Sequence, residues 1–215
     1  MSYKTGDVRL NFLSHLVDAF ERHGINFFID VHEQKGKDLK NLFVRIEDSS
    51  IAIALFSPRY PESKWCMDEL VKMKKLVVKK KLIVIPIFYK VQVKDVRNLK
   101  GEFGENFYKL AKANPDRITK WKDALECICN KMGMSLPDRS SEADFVKEIV
   151  KEVQRVLEAI RLEEEKNHSV CHLGRKTGNM GSELEFPCTK KSIGISAMVV
   201  ALIFGILGLL MICSK

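Results

Sequence analysis

An α/β fold, a parallel sheet wrapped by helices, is what this sequence predicts, and three observations carry it. Two apolar runs of strand length, Ile51–Ser57 and Leu82–Tyr89, stand apart from stretches whose apolar residues recur at helical spacing. The second run is apolar at nearly every position, as a strand covered on both sheet faces has to be. Strands that alternate with helices pair most naturally in parallel, because each helix is the crossover that returns the chain to the same end of the sheet.

The elements follow in order. Leu10, Leu13, Leu16, Val17 and Phe20 fall on one helical face, and Gly24 stops that helix. Ile25–Asp30 reads as a strand, and the polar run Val31–Asp38, with Gly36 inside it, as a loop. Leu39, Leu42, Phe43 and Ile46 mark a short helix before the strand Ile51–Ser57. The loop Pro58–Lys64 leads into a helix from Trp65 to about Lys81. After the strand Leu82–Tyr89, a segment rich in Lys, Asp and Gly reads as loop as far as Gly104. Helical stretches follow over Glu105–Ala113 and Pro115–Met132. Ser141 with Asp144 three residues on resembles a capping box that opens a last helix, Phe145–Leu162.

Size and composition bound the domain plan. At 215 residues, 46% hydrophobic and 30% charged, the chain has room for one ordinary domain with appendages. Residues 1–162 form that domain. Residues 163–192 lack periodicity, carry Gly174, Gly178 and Gly181, and read as a flexible linker. Ile193–Cys213 is a run of 21 residues without a charge, long enough to cross a bilayer as a helix, since roughly 20 apolar residues suffice. It predicts a transmembrane helix acting as a tail anchor, with the folded domain in the cytosol because Lys190 and Lys191 stand on its amino-terminal flank. Ala197, Ala201 and Gly205 form a small-residue stripe that lets two such helices approach.

The net charge of +8 is concentrated at Lys72, Lys74, Lys75, Lys79, Lys80 and Lys81. The plain reading is a solvated helix face; nucleic acid or anionic membrane is the other. The six cysteines show no disulfide spacing and the N-terminus has no apolar leader, which argues for a reducing compartment. His168, Cys171, His172 and Cys188 match no standard zinc spacing, so no metal and no cofactor are expected.

The chemistry concentrates where a strand, a short loop and a helix start meet, over Ser63–Leu70. Open α/β sheets build their pockets at such carboxyl ends of strands. Trp65 offers a flat stacking surface, Cys66 a small soft side chain, and Glu69 a carboxylate one turn into the helix. A carboxylate beside an aromatic wall suits binding a ribose and offsetting positive charge on it. The plain readings are a surface glutamate favoured by the helix dipole, a tryptophan packed partly in the core and a buried structural thiol. Asp68 adjoins Glu69 in sequence but sits about 100° around the helix, which argues against a paired-carboxylate mechanism.

Taken together, ordered blocks over roughly residues 5–160 resemble plant Toll/interleukin-1 receptor (TIR) domains. They are Asp7-Val8-Arg9 with Phe12 and Ser14-His15-Leu16; Gly24-Ile25 with Phe28-Ile29-Asp30; Gly36; Phe56-Ser57, Tyr60 and Ser63–Val71; Val84–Tyr89; Val93–Val96; and Gly101–Gly104. The resemblance implies a flavodoxin-like sheet that self-associates with its own kind and with other TIR domains. It also implies an enzyme of plant immune signalling that cleaves its substrate NAD⁺ at the nicotinamide–ribose bond, giving nicotinamide and ADP-ribose or a cyclic form. Glu69 corresponds to the family's catalytic glutamate. Ser57, Trp65 and Cys66 line the same corner, and Val31–Asp38, with Gly36, corresponds to a mobile loop that gates the site. Asp7 and Arg9 keep two readings, contact with the substrate or pairing and capping at the first helix. A non-catalytic adaptor that recruits other TIR domains at a membrane is the alternative. The chain departs from the family at the start, where Met1–Thr5 leaves the expected central first strand shortened or missing.

Overall fold

A computed structural model of the protein describes residues 6–29, 40–136, 141–173, 199–203 and 210–211. Its elements in chain order are α1 (Gly6–Arg22), β1 (Phe27–Ile29), α2 (Lys40–Glu47), β2 (Ile51–Phe56), α3 (Lys64–Val78), β3 (Ile83–Phe88), α4 (Val93–Asn98), α5 (Gly101–Ala113), α6 (Ile118–Cys129), β4 (Met134–Ser135), α7 (Glu142–Leu173), β5 (Val199–Ile203) and β6 (Leu210–Met211). The strands form one sheet in the order β4-β3-β2-β5-β1-β6, parallel except for β6, which runs antiparallel to β1.

The period of two along β2 builds two cores at once. Ala52, Ala54 and Phe56 join a cluster with Met67, Leu70, Met73, Phe103, Phe107 and Trp121 beneath α3, α5 and α6. Ile51, Ile53 and Leu55 point the other way, into a cluster with Phe12, Leu16, Phe20, Phe145, Ile149 and Val153 of α1 and α7. All six residues of β2 are buried, as expected of a strand covered by helices on both faces.

Several boundaries move for local reasons. α3 ends at Val78, three residues before the expected Lys81, and Lys80 takes a left-handed φ of 54°. The stretch read as loop up to Gly104 contains α4 and the start of α5, separated by left-handed Leu99 and Gly101. Gly104 lies close against the residue that ends α4: a Cβ there would lie 2.0 Å from the Leu99 carbonyl oxygen. β4, only two residues long, gave no periodic signal. α7 runs to Leu173, so the first part of the expected linker is helical. Arg161 pairs with Glu158 and Glu165 one turn away on either side, and Gly174 follows directly.

Two expectations meet in the tail. No helix among the described residues is long and apolar enough to cross a membrane. Of the run expected to be a transmembrane helix over 193–213, Val199–Ile203 and Leu210–Met211 form β5 and β6, and the other positions lie outside the described residues. β5 sits between β1 and β2, with Ile51 opposite Val199 and Leu55 opposite Ile203. No strand precedes α1 among the described residues, so the central position expected of the first strand is taken by the far end of the chain. The physical reason is that a central parallel strand and a membrane span ask for the same residues.

Candidate active site

β2 delivers Ser57 at its carboxyl end, where the chain turns sharply through a single 3₁₀ turn, Tyr60–Glu62. The turn closes with the Tyr60 amide donating to the Ser57 carbonyl at 2.9 Å. Ser63 then caps α3: its hydroxyl oxygen accepts from the Cys66 amide at 3.4 Å, which satisfies one of the donors a helix start leaves open. Two buried side chains fix this connection from below. The Tyr60 hydroxyl donates to the Cys66 carbonyl at 3.2 Å, and the Asn106 side-chain amide of α5 donates to the Pro58 carbonyl at 3.1 Å. The strand end and the first turn of α3 are therefore held in one geometry.

Glu69 lies on the buried side of α3 and is fully buried, and Cys66 and Ser57 are buried too. Trp65 is half-buried at the helix start and packs on Phe43 of α2, ring centroids 5.0 Å apart. Its indole Nε1 is buried and has no hydrogen-bond partner among the described residues. An unmet buried donor costs about 1–3 kcal/mol, a cost that an acceptor on a bound molecule can remove. Burial holds the Tyr60 phenol well above the ordinary range for tyrosine, and electrostatic coupling to Cys66, Glu69 and Cys129 pushes the same way. Tyr60 is thus a neutral donor close enough to Glu69 to feel its charge.

Asp68 faces outward and does different work. It binds the Arg117 guanidinium at 2.7 Å and accepts from the Nε1 of buried Trp121 at 2.9 Å. An open groove of about 490 Å³ crosses this outer side of α3, lined by Phe43, Trp65, Asp68, Lys72, Arg117 and Trp121 among others. Trp65 is the side chain shared by the groove wall and the corner that holds Glu69. Lys72 pairs with Glu47 and Lys74 with Asp123, so part of the lysine cluster is engaged on the protein itself.

Trp65, Cys66 and Glu69 fall in the first two turns of α3, and Ser57 directly follows β2, the strand that leads to them. Asp7 and Arg9 fall in the first turns of α1, with their side chains outside the described residues, as is Gly36. No group of three or more His, Cys, Asp or Glu side chains is placed to hold a metal among the described residues, and the side chains of His168, Cys171, His172 and Cys188 lie outside them. Sequence reasoning from spacing gave no role to Tyr60 or Asn106. Their partners are backbone carbonyls, 6 and 48 residues away, and carbonyls leave no trace in residue types. An aromatic beside Pro61 in a polar loop was the available signal for Tyr60.

The family model described as the TIR domain matches residues 1–173. The Arabidopsis thaliana disease resistance protein RBA1 is 53% identical over 169 residues, 78% of this chain and 47% of RBA1. Disease resistance protein RPS4B of the same plant is 44% identical over 163 residues, 76% of this chain and 14% of that protein. The chain thus spans about half the first relative and a small part of the second. Among solved structures, the TIR domains of the activated Roq1 resistosome, which directly recognizes the pathogen effector XopQ, superpose with a TM-score of 0.63 at 33% identity, covering 71% of this chain and 96% of that one. A parallel sheet with helices on both faces, a buried glutamate one turn into the helix after its central strand, and a match over most of the length agree: the chain belongs to the TIR domain family.

Proposed function

We propose that this protein is an NAD⁺ glycohydrolase of plant immune signalling in which Glu69 is the catalytic carboxylate. The observation that carries the reading is Glu69 itself, fully buried one turn into α3 behind the end of β2, with the aromatic wall of Trp65 a turn before it. In the proposed reaction the bond between the nicotinamide nitrogen and the ribose carbon breaks, and nicotinamide leaves with the electron pair as a neutral molecule. The ribose passes through an oxocarbenium-like state. Water adds to it and gives up a proton to yield ADP-ribose, or a nucleophilic atom of the adenine closes a cyclic product. The Glu69 carboxylate accepts from a ribose hydroxyl and offsets the positive charge that develops, an interaction stronger in the transition state than in the ground state. The Trp65 ring stacks on a flat part of the substrate, while Ser57 and Cys66 shape the corner. No metal or resident cofactor takes part. Contact of Asp7, Arg9 and Gly36 with the substrate belongs to the same proposal.

Burial of Glu69 means that substrate reaches it only when the covering segments rearrange. Self-association with another TIR domain is the proposed trigger. Association with a membrane through residues 193–213 requires Val199–Ile203 and Leu210–Met211 to leave the sheet.

The test is nicotinamide release from concentrated or artificially clustered protein. Glu69→Ala should lower it by about 100-fold or more, the scale on which preorganised electrostatic stabilisation acts. If the parent releases no nicotinamide and Glu69→Ala behaves as the parent does, the reading fails. The complete burial of Glu69 also favours one rival, a non-catalytic adaptor that recruits other TIR domains. The adaptor predicts partner binding that survives Glu69→Ala and is lost when exposed helix faces are altered.

A further inference from the structure

The groove on the outer side of α3 carries a positive charge that the fold leaves partly unneutralised. It runs between α2, α3 and the start of α6, and its volume of about 490 Å³ falls inside the roughly 300–1,000 Å³ of small-molecule sites. Among the described residues four cations and one carboxylate line it: Lys72, Lys75, Arg117 and Lys120 against Asp68. The carboxylate is already committed, at 2.7 Å to Arg117 and at 2.9 Å to the Trp121 indole. Lys72 pairs with Glu47. Lys75 and Lys120 are exposed and have no acidic partner among the described residues.

A solvated lysine face is the ordinary use of such residues. Three observations go beyond it. Lys75 belongs to α3 and Lys120 to α6, so helix packing, not sequence spacing, brings both to one concavity. Arg117 is held in place by Asp68, and a guanidinium so oriented keeps further N–H donors for an anion. The groove also has an aromatic wall, half-buried Phe43 and Trp65 with ring centroids 5.0 Å apart. Trp65 and Lys75 stand ten residues apart on α3, about 15 Å along its axis. A base, a sugar and two phosphates fill such a span; a bare phosphate does not.

We propose that this groove binds a nucleoside diphosphate or triphosphate, with its base against Phe43 and Trp65 and its phosphates between Lys75, Arg117 and Lys120. The site is distinct from the one proposed for catalysis. Asp68 marks the groove side of α3, whereas Glu69, about 100° further round the helix, is fully buried. Trp65 is the side chain common to both. A bound polyphosphate bridges α3 and α6 and relieves the repulsion between the lysines that face it.

The two tryptophans of the chain both line the groove, so their fluorescence reports it directly. The experiment titrates the full chain with ADP, followed by fluorescence and by calorimetry. ADP should bind saturably with a Kd of about 1 mM or tighter, and more weakly as salt is raised. Adenosine and inorganic pyrophosphate each carry half of the ligand, and each should bind about 10-fold or more weaker than ADP. Lys75→Glu combined with Lys120→Glu should weaken ADP about 10-fold or more. Both positions are exposed, and an unchanged urea midpoint without ligand shows that the fold is intact. Glu69→Ala should bind ADP as the parent does. Absence of saturation by ADP overturns the proposal, and so does pyrophosphate or adenosine binding as tightly as ADP. ADP binding that survives the lysine pair and is lost in Glu69→Ala places the nucleotide in the catalytic corner and overturns it too. Each of these arms reads binding alone, so silence of nicotinamide release sinks only the glycohydrolase reading.

Discussion

Asp68 and Glu69 are neighbours in sequence and carry the same charge, yet α3 sends them to opposite jobs. Asp68 holds Arg117 and the indole of fully buried Trp121 on the outer side, and Glu69 faces the interior. Asp68→Ala removes the acceptor of a buried indole donor, so we expect a loss of about 1–3 kcal/mol in urea unfolding. Nicotinamide release per folded molecule should change little, the reverse of the pattern at Glu69. Tyr60→Phe deletes one hydroxyl that donates to the Cys66 carbonyl. It should cost about 1 kcal/mol of stability and should loosen the first turn of α3, seen as faster amide exchange at Cys66 and Met67. Equal exchange in Tyr60→Phe and the parent would remove Tyr60 as the residue that fixes this turn. Glu69 was legible in sequence because the blocks around it are ordered; the two partners of Asp68 were not, being 49 and 53 residues away.

At the scale of elements, the connection from β2 to α3 is fixed by a cap and a close approach elsewhere. Ser63→Ala removes the side-chain acceptor of the Cys66 amide and should cost about 1 kcal/mol, measured as a lower urea midpoint with an unchanged slope. Gly104→Ala is the harsher change. Its Cβ would meet the Leu99 carbonyl oxygen at 2.0 Å, so α4 and α5 must separate, and overpacking of this kind costs about 1–3 kcal/mol or more. A Gly104→Ala chain as stable as the parent would show that the α4–α5 contact yields without cost. The helices of long period, α1, α3 and α7, were readable from their apolar faces. α4 and β4 were not, because six and two residues are too short to show a period.

For the whole molecule, burial sets an alkaline limit. Burial pushes the Cys129 thiol up to about 12, against the pull of Arg97 in the other direction, and raises the Tyr60 phenol well above its own ordinary range. Both groups stay neutral in the fold and ionise in the unfolded chain. The unfolded state then binds fewer protons, so stability is full below the unfolded pKa and falls as pH rises. For Cys129 the window runs from about 9 to about 12, with a slope near 1.4 kcal/mol per pH unit for one proton. Urea unfolding at intervals across that window should show the decline. Cys129→Ala should flatten it by one proton's worth, and an unchanged slope would mean the thiol ionises in the folded state.

The sequence by itself determined the class of the fold, the order of its long elements and the place of Trp65, Cys66 and Glu69 within two turns of one helix, because periodicity and motif order are local properties. It also determined that residues 193–213 must leave water. Which apolar setting they enter was a tertiary decision. A central strand and a membrane span have the same composition, and only the open position between β1 and β2, visible once the strands are paired, gave Val199–Ile203 a place in the sheet.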